Sequence, residues 1–324
     1  MSGNHSSLPE ADELDSLGKN GIYRRVSLSK IFRMGPMREN YLTRRREYLV
    51  GGIEKNLQQI NERKNSWLEK ASKIAWPVEF EIGALKFSPI AHTQWMWGQI
   101  AAKLDRLAHG DSEKEFTESK MSENDKAWNQ VANYFLTMAP DVGSSTNTSP
   151  NMNGKLYGEI EQKDFDLEFG TKDKKAPDVM PHLSNVAGHL RFEIAEGNCM
   201  SAAGSFGKFF YFTGIPFYPA MPIYDFFIKR AHDQFYYNLY WRSSFATIGT
   251  PSGVTLAPEG AQHSWKSDFQ IPHGVAWEPC FAKELEWIMA DTLKRHFTKN
   301  DFDRESSLIR CVTKGLVQKE FWIV

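Results

Sequence analysis

Four places in this 324-residue sequence carry side chains whose chemistry could serve a ligand or a reaction. Glu196 closes the segment Arg191-Phe-Glu-Ile-Ala-Glu and opens a run of small residues that reads as a helix. A carboxylate at a helix start most often complements the helix dipole, but the same group can also give or take a proton. Tyr224 and Phe227 stand three apart in an aromatic-rich stretch, where flat rings suit either a flat heterocycle or the protein core. Glu259 and His263 stand four apart in Pro258-Glu-Gly-Ala-Gln-His263. A histidine titrates near neutrality and can donate to a carbonyl or carboxylate, although a lone one in a loop is more often surface decoration. Asp141, after Pro140 and before a run rich in Ser, Thr and Asn, has the form of ordinary turn chemistry.

The elements that must position these groups alternate. Residues 1–20, rich in Ser, Gly, Asp and Glu, offer too little apolar surface to offset chain entropy, so disorder is the expectation. Tyr48, Leu49, Ile53, Leu57 and Ile60 recur at three- and four-residue steps, which predicts an amphipathic helical arm within residues 21–85, interrupted at Trp76-Pro77. Arg44, Arg45 and Arg46 fall on it and read as a solvated face. From about residue 86 to 324 a compact domain is expected. Helical patterns at Phe87–Leu107, Lys126–Leu136, Ile223–Trp241 and Ala282–Phe297 interleave with short apolar runs around Leu190, Pro219, Thr247, Ala276 and Ile309. That order implies an α/β fold, a parallel sheet with helices on both faces. Ligands gather at the carboxyl ends of such strands, which is where the loops after Met138, Ile194, Thr247 and Ala276 should lie.

Composition narrows the function classes. With 39 basic and 40 acidic residues, nothing in the totals argues for nucleic acid or a membrane surface as partner. Cys199, Cys280 and Cys311 are odd in number and far apart, without a Cys-x-x-Cys pair, so neither a disulfide framework nor structural zinc is expected. No signal-like start and no membrane-length apolar run is evident, and a cytoplasmic location is the expectation.

Four segments together resemble the central, pyrimidine-binding domain of the transketolase and 2-oxoacid dehydrogenase superfamily, particularly the single-chain decarboxylating component of the pyruvate dehydrogenase type. They are MAPDVGSSTN (138–147), RFEIAEGNCMSAAG (191–204), MPIYDFFIKRAHDQ (221–234) and GTPSGVTLAPEGAQHS (249–264), in the family's order and at plausible spacings. The resemblance implies a thiamine diphosphate-binding fold. It also implies that Glu196, in Ile194-Ala195-Glu196, protonates a ring nitrogen of the cofactor's aminopyrimidine, so that the amino group can act as base toward the thiazolium carbon. Tyr224 and Phe227 match the family's aromatic positions against the aminopyrimidine, and Asp141 matches an acidic position lining the cofactor cleft. Glu259 and His263 match a pair in the active centre that handles a 2-oxoacid. Beyond His263 the sequence departs from the family, with Trp265 and Lys266 where small polar residues are usual.

The family's diphosphate signature, Gly-Asp-Gly followed by Asn-Asn, is absent from these 324 residues. Diphosphate requires a divalent cation with oxygen ligands. The resemblance therefore implies a hetero-oligomer in which a partner chain holds Mg2+ and the diphosphate while this chain holds the aminopyrimidine. Decarboxylation of a 2-oxoacid or two-carbon transfer from a ketose is the expected chemistry. The alternative is a non-catalytic structural or regulatory relative that keeps the fold.

Overall fold

The computed structural model describes residues 36–83, 89–109, 121–140, 143–148, 188–192, 194–255 and 273–322. Asp141, Glu259, His263, Trp265, Lys266 and residues 1–20 lie outside the described residues. The chain divides into two compact units, residues 1–59 and 60–324. In chain order the helices and strands are α1 (Pro36–Ser72), β1 (Ile90–Ala91), α2 (Thr93–His109), α3 (Glu123–Ala132), β2 (Phe135–Ala139), β3 (His189–Arg191), α4 (Glu196–Gly207), α5 (Phe209–Thr213), β4 (Tyr218–Ile223), α6 (His232–Tyr240), β5 (Ala246–Gly249), β6 (Gly274–Trp277), α7 (Ala282–Thr298), β7 (Ser306–Arg310) and β8 (Leu316–Val317). A 3-10 turn, Asp225–Ala231, joins β4 to α6.

In the first unit, α1 exposes both its charged and its apolar residues, including Tyr41, Tyr48, Ile53 and Leu57. The Arg45 guanidinium lies over the Tyr48 ring.

The second unit is built on a six-stranded sheet in the order β3-β2-β4-β5-β7-β6, and every neighbouring pair is parallel. The strands are short and almost continuously apolar because helices cover both faces. Alternate side chains leave each strand on opposite sides. Phe135, Tyr218, Ala220, Ala246, Ile248 and Ile309 pack with α2, α3 and α7. Leu136, Met138, Met221, Ile223 and Leu308 pack with α4 and α6. Along α2, the buried residues Met96, Trp97, Ile100, Ala101, Leu104 and Leu107 recur at helical spacing and form one face. Each large apolar side chain buried this way contributes about 1.5–3 kcal/mol.

Helix α4 sits closer to its neighbours than a helix of large residues could. A methyl group on Gly204 would run into the Asn238 side chain, and one on Gly207 would meet the Ser244 carbonyl oxygen at 2.5 Å. Its small-residue composition therefore reflects packing.

The sheet-bearing unit reaches further toward the N terminus than the expected boundary near residue 86. Trp67, Ala71, Ile74, Phe80 and Ile82 all join the α2/α3/α7 core. Glu286, fully buried on α7, fixes the end of this segment by accepting from the backbone N–H groups of Phe80 at 2.9 Å and Ile82 at 3.2 Å, and its other oxygen pairs with Lys283. Two helical patterns also resolve differently. The expected Lys126–Leu136 helix ends at Ala132, and Phe135-Leu-Thr-Met-Ala, buried throughout, becomes the first strand of the six-stranded sheet. The aromatic stretch from Ile223 is a strand end, a 3-10 turn and then a helix. Among the described residues no helix is long and apolar enough to cross a membrane.

Candidate functional site

The carboxyl ends of β2, β3 and β4 converge on one edge of the sheet. Past β3 the ladder continues briefly, with Phe192 N–H donating to Ala139 O at 3.0 Å and Ala195 N–H donating to Pro140 O at 3.0 Å. These bonds hold the loop carrying Ile194 and Ala195 beside the exit of β2. Ala195 caps α4 without a side-chain hydrogen bond, so the first acidic group available to the positive end of that helix is Glu196 itself. The dipole-complementing role and a chemical role therefore coincide in one residue.

The Glu196 side chain is 7% exposed, and its Oε1 accepts from Arg230 Nη1 at 2.8 Å. Arg230 is half exposed and comes from the 3-10 turn after β4. Its guanidinium carbon lies 3.8 Å from the centroid of Phe227. The Phe227 ring in turn sits 5.3 Å from that of Tyr224, the residue immediately after β4. In a 3-10 turn, side chains three residues apart eclipse. Tyr224, Phe227 and Arg230 therefore form a single column, with the Glu196 carboxylate bonded at its end. Phe226, between them in sequence, is almost fully buried with its ring 5.2 Å from that of Tyr224, and Phe235 is buried too. Phe226 and Phe235 are buried core residues, whereas Tyr224 and Phe227 are half-buried, with Phe227 packed against the edge of the α4/α6 core.

One turn into α4, the Cys199 thiol is fully buried, and burial together with the Glu196 charge pushes it well above the ordinary range. A thiol so placed stays protonated and is a poor nucleophile.

A second charged group ties the ends of β4, β5 and β7. Asp225, almost fully buried, accepts from Ser252 Oγ at 3.0 Å and lies 3.3 Å from Arg310 Nε. Arg310, 3% exposed, also faces Glu278 at 3.8 Å. A cavity of about 240 Å3 opens beside it at the carboxyl ends of β5, β6 and β7, lined by Ser252, Glu278, Cys280, Val312 and Leu316 among others.

The structure thus brings together three of the six residues expected from sequence, Glu196, Tyr224 and Phe227. The other three, Asp141, Glu259 and His263, lie outside the described residues. Sequence reasoning missed Arg230 and the Asp225–Arg310 pair. Arg230 had a readable signal, since it follows Phe227 by the same three-residue step that separates Phe227 from Tyr224. Among the described residues no group of three or more His, Cys, Asp or Glu is placed to hold a metal ion.

The fold defined here is α/β with a six-stranded parallel sheet covered by helices on both faces. No family model matches the sequence, and no curated protein matches it. Similar solved structures include transketolase from Campylobacter jejuni subsp. jejuni NCTC 11168, at 15% identity and a TM-score of 0.44, over 79% of this chain and 30% of that one. A Pichia stipitis transketolase in complex with sedoheptulose-7-phosphate matches at 10% identity and a TM-score of 0.46, over 71% of this chain and 26% of the other. A mutant transketolase from the same organism, in complex with fructose-6-phosphate, matches at 12% identity and a TM-score of 0.47, over 96% of this chain and 36% of its own. The chain thus spans 26% to 36% of the length of these transketolase chains.

Proposed function

We propose that this chain supplies the aminopyrimidine-binding half of a thiamine diphosphate site, within a heteromeric enzyme of the transketolase and 2-oxoacid dehydrogenase superfamily. The observation that carries the reading is the column at the end of β4. A flat cation already lies against Phe227 and bonds to the buried Glu196 carboxylate, and a protonated aminopyrimidine is a flat cation with a ring N–H to donate. The residues present fit that group. The four sequence segments support the same reading.

In this account Tyr224 and Phe227 provide the aromatic surface for the ring and exclude water from one of its faces. Glu196 accepts the ring N–H at a carboxylate oxygen and exchanges that proton with the ring nitrogen, and the burial of the carboxylate shields the exchange from water. When bound, thiamine diphosphate supplies the carbon nucleophile that attacks the carbonyl of a 2-oxoacid or ketose. By the resemblance of their segments, Asp141 would serve the cofactor cleft, and Glu259 and His263 would assist the charge that develops on the substrate. A partner chain bearing Gly-Asp-Gly and Asn-Asn motifs holds Mg2+ and the diphosphate.

Reconstitution tests this. The chain would be mixed with the product of a neighbouring reading frame that carries those motifs, and thermal stability followed on adding thiamine diphosphate and Mg2+. A rise in Tm of the mixture, and 2-oxoacid or ketose turnover that Glu196→Gln removes, is the expected result. Near-normal turnover by Glu196→Gln would sink the assignment. Absence of any shift would favour a non-catalytic binding module, a reading to which the Arg230 tie on Glu196 also lends weight.

A further inference from the structure

Arg230 makes, within the protein, the two contacts that an aminopyrimidinium ring would make. Its guanidinium is planar, delocalised and cationic, it covers the Phe227 face at 3.8 Å, and it donates to Glu196 Oε1 at 2.8 Å. Its Nη1 lies 2.8 Å from the Glu196 carboxylate, within ion-pair distance. The 3-10 turn holds it in register with Tyr224 and Phe227. Resting on the half-site reading above, we propose that Arg230 is an internal occupant of the aminopyrimidine slot, a side chain that must swing out before the heterocycle can enter.

The side chain can make that movement. Arg230 is 52% exposed against 7% for Glu196, so its way out leads to solvent while the carboxylate stays fixed in the fold. Leaving breaks a half-exposed ion pair and one cation–π contact, and the incoming cation re-pairs the buried carboxylate. The closed arrangement covers the Phe227 face and satisfies the buried Glu196 carboxylate. Ligand entry is then an exchange of one planar cation for another. The apparent affinity is reduced by the fraction of molecules in which Arg230 is out.

The probe is 4-amino-5-hydroxymethyl-2-methylpyrimidine, titrated into the full chain by ligand-observed NMR, with thermal unfolding of each variant confirming that it is folded. Arg230→Ala is expected to bind about tenfold more tightly than the wild type. Arg230→Lys, which keeps the charge and loses the flat face, should fall between them, and Glu196→Ala should abolish binding. Should Arg230→Ala and Arg230→Lys bind no more tightly than a wild type whose binding depends on Glu196, Arg230 is a support and not an occupant, and the half-site reading stands alone. Lack of measurable binding by every variant overturns both.

Discussion

His189 gives the sharpest test of how the sheet edge is held. It lies on β3, fully buried, with Nδ1 2.8 Å from Thr137 Oγ1 on β2. The threonine hydroxyl donates onward to Gly188 O at 3.2 Å, so Nδ1 carries the imidazole proton and Nε2 the lone pair. Nε2 is buried and has no hydrogen-bond partner. A proton there would be an unpaired buried charge, and burial, with Arg191 adding to it, pushes the His189 pKa down to about 3. In the unfolded chain it returns to about 6.5. The folded state therefore binds fewer protons. Stability is complete above about pH 6.5 and drains away as pH falls toward 3, at up to about 1.4 kcal/mol per pH unit. From pH 7 to pH 5 this one residue removes about 2 kcal/mol. Urea unfolding at pH 7, 6 and 5 measures it. Replacing His189 with Asn should shrink the loss over that range by about 2 kcal/mol, whatever it does to stability at pH 7. An unchanged pH dependence in the variant would refute the tautomer and burial argument. Because β3 leads directly into the loop that presents Glu196, the same acid range should loosen the candidate site.

Other expectations follow from the buried polar groups. Glu286→Ala strands the Phe80 and Ile82 amides and should cost about 3–5 kcal/mol in chemical unfolding; a loss under 1 kcal/mol would mean that the segment finds other partners. Asp225→Ala leaves the Arg310 guanidinium deprived of its nearest carboxylate and should cost about 3–5 kcal/mol, while Glu278→Ala, from the half-exposed end of the same group, should cost under about 1 kcal/mol. Gly207→Ala pushes a methyl into the Ser244 carbonyl and should destabilise by about 1–3 kcal/mol with a lowered Tm. In the native protein a maleimide should label exposed Cys280 alone. Cys199 is buried with its thiol pushed well up, and burial pushes Cys311 up to about 12. Labelling of either before unfolding would contradict their placement.

The fold class was legible because the strands are short apolar runs between helical periods, and the loops after Met138, Ile194, Thr247 and Ala276 do follow strands of one parallel sheet. Boundaries were less so. Phe135–Ala139 reads equally as a buried helix end or a buried strand, and only pairing with β3 and β4 decides it. The segment from Trp67 to Ile82 looked like arm because its neighbours in sequence are charged. Its place in the core depends on partners more than two hundred residues away, Phe297 O for Trp67 and Glu286 for Phe80 and Ile82. In the site, Glu196 and the aromatic pair could be found from motif and spacing. Arg230 follows at the same three-residue step, but its alignment with the pair depends on a 3-10 turn where an α-helix was expected; in an α-helix, residues three apart are offset around the axis rather than eclipsed. The Asp225–Arg310 pair joins strands that sequence order does not place side by side.

The central claim is that Glu196 exchanges a proton with an aminopyrimidine lying in the Tyr224–Phe227 column. Magnetic resonance of the isotope-labelled ring nitrogen of 4-amino-5-hydroxymethyl-2-methylpyrimidine, bound to the wild-type chain and to Glu196→Gln, reads that proton directly. The account predicts a ring-nitrogen shift toward the protonated form in the wild type that is absent in the variant. A bound shift identical in the two proteins, or equal to that of the free compound, would contradict it.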